Sequence, residues 1–210
     1  MGRKKSYDRD ALIGVALEIF RDHGYASTST AMLVEGLAVN RFSLYNEFGS
    51  KQALFDLALE RYDNDVIAQS YSPLEAPGAG ITEIRALLEF YGLAGSGPSS
   101  GRGCYLCNTA VELGPNDPSG GGFVQRYFER LSNAFFAALS NAGASGELRP
   151  SVKPRQEADF FTASVLGLFV MLRAKAPPTV IERAARGAIA HLESLLTHGP
   201  HHGQPDEDLG

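Results

Sequence analysis

The sequence predicts an all-α protein of about nine helices. Apolar residues recur at the three-to-four spacing of an amphipathic helix through almost the whole chain. No segment shows the sustained apolar–polar alternation, bounded by turn residues, that predicts a half-buried strand. The chain has 210 residues, of which 44% are apolar, so it can bury a substantial core.

The first four helices are predicted by periodicity and by their capping residues. A helix over residues 8–23 has its apolar side chains on one face, an aspartate at its N-cap and a glycine after its last turn. Two short helices are expected at about residues 29–36 and 40–47. A longer fourth helix is expected from Ser50 to about residue 70.

Five further helices follow a break at residues 73–80 that contains proline and glycine. They are expected at about residues 81–94, 103–113, 122–142, 155–175 and 178–197. Because the early helices are short and the later ones long, we expect a small N-terminal domain at residues 1–50. A larger domain is expected at 51–198, joined through the fourth helix, with a disordered tail at 199–210.

The composition excludes several classes of protein. The chain carries 19 Lys and Arg against 24 Asp and Glu, and this net charge of −5 gives no support for a nucleic-acid partner. Through Lys51, however, positive residues slightly outnumber negative ones.

No apolar run is long enough for a membrane helix, and the basic N-terminus lacks the apolar core of a signal peptide. We therefore expect a cytoplasmic protein with no membrane partner.

The second short helix is unusually polar for a helix of a small domain. Its hydrogen-bonding side chains are Asn40, Arg41, Ser43, Tyr45 and Asn46. A helix with such groups on its exposed face and only a few apolar anchors is suited to a DNA major groove. The preceding run Thr28-Ser29-Thr30 places hydroxyls and free N–H groups at a helix N-terminus, which favours phosphate contacts.

These residues belong to a longer pattern with several fixed spacings. Its members are Gly24, Tyr25, Thr28, Ser29, Thr30, Leu33, Val39, Leu44, Tyr45, Phe48 and Lys51. The pattern resembles the DNA-binding domain of TetR-type transcriptional repressors. The resemblance implies a recognition helix at residues 40–46, with Tyr45 and Lys51 at DNA phosphates. Within that helix we expect Arg41 and Asn46 to read bases.

Three positions depart from the family pattern. Glu47 stands where histidine is common, and we expect it to repel phosphate and remove one backbone contact. Ala38 replaces the usual glycine of the turn between the two short helices. Phe42 replaces a small residue, and it either contacts a thymine methyl group or fills a gap.

The resemblance also implies a C-terminal domain that binds a ligand and forms a homodimer through the last two helices. The predicted interface residues are Leu166, Phe169, Val170, Ala185, Ile189 and Leu192. An intramolecular core would use the same residues, so this alternative stays open. A dimer would place two recognition helices roughly 34–36 Å apart, at the two halves of a palindromic operator.

The segment Gly101–Pro115 is the most distinctive part of the C-terminal domain. It resembles a Gly-Cys…Asn…Glu-Leu segment of a family branch that includes electrophile- and redox-responsive repressors. Cys104 lies beside Arg102 near a predicted helix N-terminus, and both features lower the pKa of a thiol. The alternative is that Cys104 and Cys107 are small buried apolar residues.

The sequence therefore predicts a homodimeric repressor, without catalysis, that a small-molecule or electrophile inducer releases from DNA. The candidate ligand contacts are Tyr91, Cys104, Asn108, Glu112 and Phe128. Neither a metal nor another cofactor is expected, because no second pair of ligands accompanies the two cysteines. The alternative from another class is a cysteine-based redox or electrophile-scavenging enzyme that uses Cys104 and Cys107.

Overall fold

A computed structural model of the protein describes residues 8–113 and 121–197. We number its helices α1 (Arg9–His23), α2 (Thr30–Gly36), α3 (Arg41–Phe48), α4 (Lys51–Tyr62, continued by a π-helical turn, Asp63–Ile67, and by Ala68–Glu75), α5 (Ile81–Leu93), α6 (Tyr105–Glu112), α7 (Gly121–Ala144), α8 (Pro154–Arg173) and α9 (Pro178–Ser194). Within the described residues, β structure is limited to one isolated bridge. The prediction of an all-α protein of about nine helices is confirmed. The tail expected at 199–210 lies outside the described residues.

Each of the first four helices starts at a side chain that caps it. Asp8 accepts a hydrogen bond from the N–H of Asp10 at 3.0 Å, and Ser29 accepts one from Met32 at 3.2 Å. The equivalent bonds that start α3 and α4 run from Ser43 N to Asn40 Oδ1 (2.8 Å) and from Ala53 N to Ser50 Oγ (3.0 Å). Such caps each stabilise a helix by about 1 kcal/mol, so the local sequence fixes these starts.

Helix α4 is longer than the sequence pattern predicts, because it continues past Pro73 to Glu75. Proline has no N–H to donate to the carbonyl of Gln69 four residues earlier. The hydroxyl of Ser72 donates to that carbonyl instead, at 3.1 Å. The last turn therefore survives the proline, and the expected end near residue 70 is wrong.

The core runs without interruption from the N-terminal unit (α1–α3) into the C-terminal helices. The ring of Phe55 on α4 packs edge-on against Phe20 of α1 and against Tyr105 of α6, with centroid distances of 5.1 and 5.6 Å. Leu44 and Phe48 anchor α3 to the same core. Helix α4 therefore contacts both parts of the molecule.

Half of the predicted dimer-interface residues are buried inside the subunit. Phe169 packs against Tyr91 at 4.6 Å, Ala185 lies against Gly92, and Leu192 is fully buried. These three side chains are therefore not free to face a second subunit, and that part of the prediction is corrected.

The remaining three predicted interface residues are accessible. Val170 is 51% exposed, and Leu166 and Ile189 are partly buried. Their contact with a second subunit stays a prediction.

In the described part of the chain, every helix is too short or too polar to cross a membrane.

Candidate nucleic-acid interface

A tight turn around Ala38 places α3 across α2. The backbone of Ala38 is left-handed, with φ of 52°, and its N–H donates to the carbonyl of Glu35 at 3.1 Å. The N–H of Val39 donates to the carbonyl of Val34 at 3.2 Å. A residue with a Cβ pays for this conformation in steric strain, which explains why glycine is the more usual residue in such a turn.

The face of α3 that points away from the core carries Arg41, Phe42 and Asn46, and all three residues are exposed. Phe42 is 80% exposed, although a large apolar side chain normally gains by burial. Phe42 therefore does not fill a gap inside the subunit. Its other predicted role, contact with a thymine methyl group, stays a prediction.

The cap residues around α2 and α3 divide into buried and accessible groups. Thr28 is fully buried and its hydroxyl donates to the carbonyl of Gly24 at 2.5 Å, so its predicted DNA contact is wrong. Ser29 is an exposed cap of α2. Asn40 is also exposed, but its Oδ1 is used to cap the N–H of Ser43. DNA contacts of Ser29, Asn40 and Ser43 stay predictions.

A hydroxyl pair joins the two short helices. Thr30 Oγ1 and Tyr45 Oη lie 3.1 Å apart, and the hydrogen bond with Thr30 lowers the pKa of Tyr45. The guanidinium of Arg41 lies over the Tyr45 ring, 5.7 Å from its centroid. Thr30, Arg41 and Tyr45 thus form one group beside the exposed face of α3.

Lys51, at the start of α4, holds the loop between α1 and α2. Its ammonium donates to the carbonyls of Tyr25 at 2.8 Å and Thr28 at 3.0 Å, and it lies 4.1 Å from the centroid of the Tyr25 ring. An ammonium has three N–H donors, and two are directed to these carbonyls. The phosphate contact predicted for Lys51 stays a prediction beside this internal role.

Glu47 lies in a contact between α1 and α3, and not on the exposed face of α3. Its side chain is only 7% exposed, and its Oε1 lies 3.4 Å from Nε of Arg9. Arg9 also lies over the ring of Phe48, 5.5 Å from its centroid. The expectation that Glu47 repels a phosphate is therefore corrected, because the carboxylate is withdrawn and paired. Arg9 could not be predicted at this contact, because its partner Glu47 is far away in the chain.

Charged side chains of α6 and of the turn before it bind the N-terminal unit. The carboxylate of Glu112 accepts hydrogen bonds from the N–H groups of Tyr25 (3.0 Å) and Ala26 (2.7 Å). Arg102 forms ion pairs of 2.7 Å with both Glu18 and Asp22 of α1. The segment Gly101–Pro115 that stood out in the sequence therefore lies, in its described part, at the junction between the two parts of the molecule.

A half-open cleft of about 420 Å³ lies at this junction. Among its lining residues are Tyr105, Cys107, Asn108, Glu112 and Arg173. Asn108 donates from Nδ2 to the carbonyl of Arg102 at 2.7 Å, so it also supports the turn that precedes α6. Ligand contacts of Asn108 and Glu112 stay predictions, but both residues have a structural role in the absence of ligand.

Cys104 lies in a buried cluster of hydroxyl groups. Its thiol is 3.5 Å from the hydroxyl of Tyr127, which is 3.1 Å from the hydroxyl of Tyr71. Burial raises the pKa of the Cys104 thiol and raises that of Cys107 to about 12. The expected lowering of the thiol pKa is therefore wrong, because Arg102 is directed towards Glu18 and Asp22 and desolvation dominates at the sulfur.

The other two candidate ligand contacts lie close to this cluster. Burial raises the pKa of Tyr91, whose ring packs against Phe169. The ring of Phe128 packs against Tyr127 with a centroid distance of 5.5 Å. Ligand contacts of Tyr91, Cys104 and Phe128 stay predictions.

The fold and this interface define a helix-turn-helix protein with a helical C-terminal body. Residues 12–58 match the family model of bacterial regulatory proteins, tetR family, and residues 80–188 match that of the tetracyclin repressor-like C-terminal domain. The chain therefore belongs to the TetR family. It is a DNA-binding transcriptional regulator and not an enzyme.

Similar proteins share most of the chain. It is 34% identical to the helix-turn-helix-type transcriptional regulator YezE of Bacillus subtilis, over 70% of this chain and 76% of the relative. It is 26% identical to the transcriptional repressor ComR of Escherichia coli, over 82% of each chain. The fold is similar to that of a cysteine mutant of the regulator CifR complexed with a 26-bp double-strand operator DNA, with a TM-score of 0.78, 23% identity and coverage of 90% of this chain and 98% of that one.

Proposed function

We propose that this regulator is a homodimeric repressor that binds a palindromic operator and is released by a small-molecule inducer. The observation that carries the proposal is the exposed face of α3, where Arg41, Phe42 and Asn46 project from a helix whose Leu44 and Phe48 are buried. The family and the operator complex of the structurally similar CifR mutant support a DNA partner.

The exposed side chains of α3 match the chemistry of base edges in the major groove. A guanidinium such as that of Arg41 donates two hydrogen bonds to O6 and N7 of guanine, and an amide such as that of Asn46 pairs with adenine. The ring of Phe42 suits the methyl group of thymine. In the Thr30–Tyr45 pair, at 3.1 Å, one hydroxyl donates to the other, and the second O–H is left to donate to a phosphate that sets the position of the helix.

A stripe of apolar and small residues on α8 and α9 is the proposed dimer interface. On α8 it comprises Phe160, Ala163, Gly167 and Val170, which recur at helical spacing, and Phe160 and Val170 are 43% and 51% exposed. A Cβ at Gly167 on α8, or at Gly187 on α9, would meet no atom within 4 Å in the described part of the subunit. Small residues beside exposed apolar ones allow two helices to pack closely against a second pair.

The buried cluster around Cys104 is the proposed inducer site. Its hydroxyl and thiol groups lie in an otherwise apolar core, and such a mixture is typical of small-molecule pockets. Because the pKa of both thiols is raised, a non-covalent inducer is favoured over an electrophile. An inducer that prefers one conformation by about 1–3 kcal/mol weakens operator binding about 5–150-fold.

The proposal is tested by footprinting the full-length protein on the DNA upstream of its own gene. We expect two protected half-sites whose centres lie one helical turn apart, roughly 34–36 Å. Sedimentation of the complex measures how many subunits are bound, and we expect two or a multiple of two. A single protected half-site with one bound subunit would contradict the proposal.

A further inference from the structure

The loop between α1 and α2 (residues 24–29, hereafter the α1–α2 loop) is held from two sides. Its N–H groups at Tyr25 and Ala26 donate to the carboxylate of Glu112, the last residue of α6. Its carbonyls at Tyr25 and Thr28 accept from the ammonium of Lys51 at the start of α4. A carboxylate thus binds the N–H groups of this short loop, and an ammonium binds its carbonyl groups. The loop leads directly into α2.

Glu112 approaches the main chain of this loop closely. A Cβ at Gly24 would lie 2.6 Å from Oε2 of Glu112, and Gly24 has a φ of 82° that favours glycine for a second reason. The two hydrogen bonds, of 2.7 and 3.0 Å, are charge-assisted and therefore stronger than neutral ones. The contact thus depends on a glycine and a glutamate that are 88 positions apart in the chain.

The neighbouring contacts at the junction are also polar. Arg102 pairs with Glu18 and Asp22, and Nη1 of Arg173 donates to the carbonyl of Arg21 at 3.1 Å. They lie beside the apolar contact that Phe55 makes with Phe20 and Tyr105. These bonds therefore supplement the apolar contact and constrain the direction in which α1–α3 join the body.

Helix α6 connects these bonds to the buried cluster. Cys104 is its N-cap and Glu112 is its last residue, so its eight residues span roughly 12 Å between the two places. The buried cluster and the α1–α2 loop thus lie at the two ends of one short helix.

We propose that Glu112 is a positioning residue for operator binding, which holds the N-terminal unit at the angle that a two-half-site operator requires. The inference rests on the proposed homodimer, because only a pair of recognition helices requires a fixed relative position.

The first arm of the test measures the loop directly in the full-length protein. In Glu112→Ala, we expect the amides of Tyr25 and Ala26 to exchange hydrogen about 10-fold faster, whereas peptides from α8 and α9 are unchanged. Glu112→Gln retains one acceptor oxygen and gives an intermediate rate. Glu89→Ala removes the same charge from an exposed position on α5 and serves as the matched control.

The second arm compares two duplexes: the full operator protected by the wild-type protein and a duplex with one half-site. We expect Glu112→Ala to weaken binding of the full operator about 10-fold and of the single half-site less than about 2-fold. We expect the affinity of Glu112→Gln for the full operator to lie between those of Glu112→Ala and wild type. The affinity of Glu89→Ala should equal that of wild type. Equal losses on both duplexes would mean that Glu112 only maintains the fold of the N-terminal unit, and this would overturn the proposal.

Two further outcomes are decisive in different ways. If the wild-type protein shows no preference for the full operator over one half-site, the proposed homodimeric function fails, while the exchange arm still measures the loop contact. If wild type shows that preference and Glu112→Ala retains it unchanged, the homodimer stands and the role of Glu112 is refuted.

Discussion

Glu47 and Lys51 both lie within the helix-turn-helix pattern, yet each side chain is directed towards the subunit itself. Thr28 belongs to the hydroxyl run that suggests phosphate binding, but it is fully buried. The accessible polar groups of the interface are therefore fewer than the sequence suggests, and those of α3 gain importance.

The strained turn at Ala38 gives a direct prediction about stability. Ala38 is exposed and has a φ of 52°, a conformation that costs an L-residue roughly 1–2 kcal/mol. Ala38→Gly should raise the free energy of unfolding by about 0.5–1 kcal/mol, because the relief of strain exceeds the added chain entropy of glycine. Urea unfolding measures the change.

An alanine in ordinary helical geometry provides the control for Ala38. Ala86 is exposed in the interior of α5, and Ala86→Gly should lower the free energy of unfolding by about 1 kcal/mol. Opposite signs for the two substitutions support the strained turn. A loss of stability in both would show that Ala38 is not strained.

The two buried thiols predict how the protein responds to pH. The pKa of Cys107 is about 12 in the folded protein, above its ordinary value of 9.0, so the fold binds this proton more tightly than the unfolded chain does. This contribution to stability is complete below about pH 9 and declines as the pH rises towards 12. At pH 8, both thiols should react with iodoacetamide much more slowly in the folded protein than in urea.

Mass spectrometry of digested peptides measures this reaction at each cysteine. Reaction of Cys104 in the folded protein at the rate seen in urea would contradict its burial and restore the electrophile-sensor hypothesis.

Helix ends and helix faces differ in how well the sequence predicts them. The sequence predicts where α1 to α4 start, because each start depends on a local cap. Each cap side chain accepts a hydrogen bond from an N–H group at most three residues further along the chain. The sequence does not predict the end of α4, because the hydroxyl of Ser72 replaces the N–H donor that Pro73 lacks. The apolar pattern of α8 also does not show which side of the helix is buried in the subunit. Phe160 and Phe161 are equally apolar, but only Phe161 is buried.

The exposed stripe of α8 and α9 leads to a prediction about assembly. Gly187→Leu adds a side chain where a Cβ meets no described atom of the same subunit, so each subunit should fold normally. In a close helix–helix interface the same side chain collides with the partner. We therefore expect a shift from dimer to monomer in sedimentation equilibrium, with an unchanged helical circular dichroism spectrum.

Gly143, near the end of α7, is the matched control because it is also exposed and open. Gly143→Leu should leave the dimer intact. If Gly187→Leu is as dimeric as Gly143→Leu, the proposed interface is wrong.

For the molecule as a whole, the distribution of charge is more informative than its sum. The net charge of −5 includes acidic side chains that are used internally, such as Glu18, Asp22 and Glu112 at the junction. What the sequence could not predict is this junction, since the hydrogen bonds of Glu112 join residues 86 and 87 positions apart. Local patterns identify the helix-turn-helix, whereas the folded chain is needed to show which bonds join it to the C-terminal helices.

Above all, we propose that the exposed face of α3 reads the operator sequence. Fluorescence anisotropy of wild type, Arg41→Ala and Asn46→Ala tests it on the footprinted operator and on a random duplex of equal length. Each substitution should weaken operator binding by about 1–3 kcal/mol, or about 5–150-fold, and shift the preferred base at its own contact. Binding of the random duplex should change much less. Unchanged operator affinity in both variants, with the fold retained, would contradict the account.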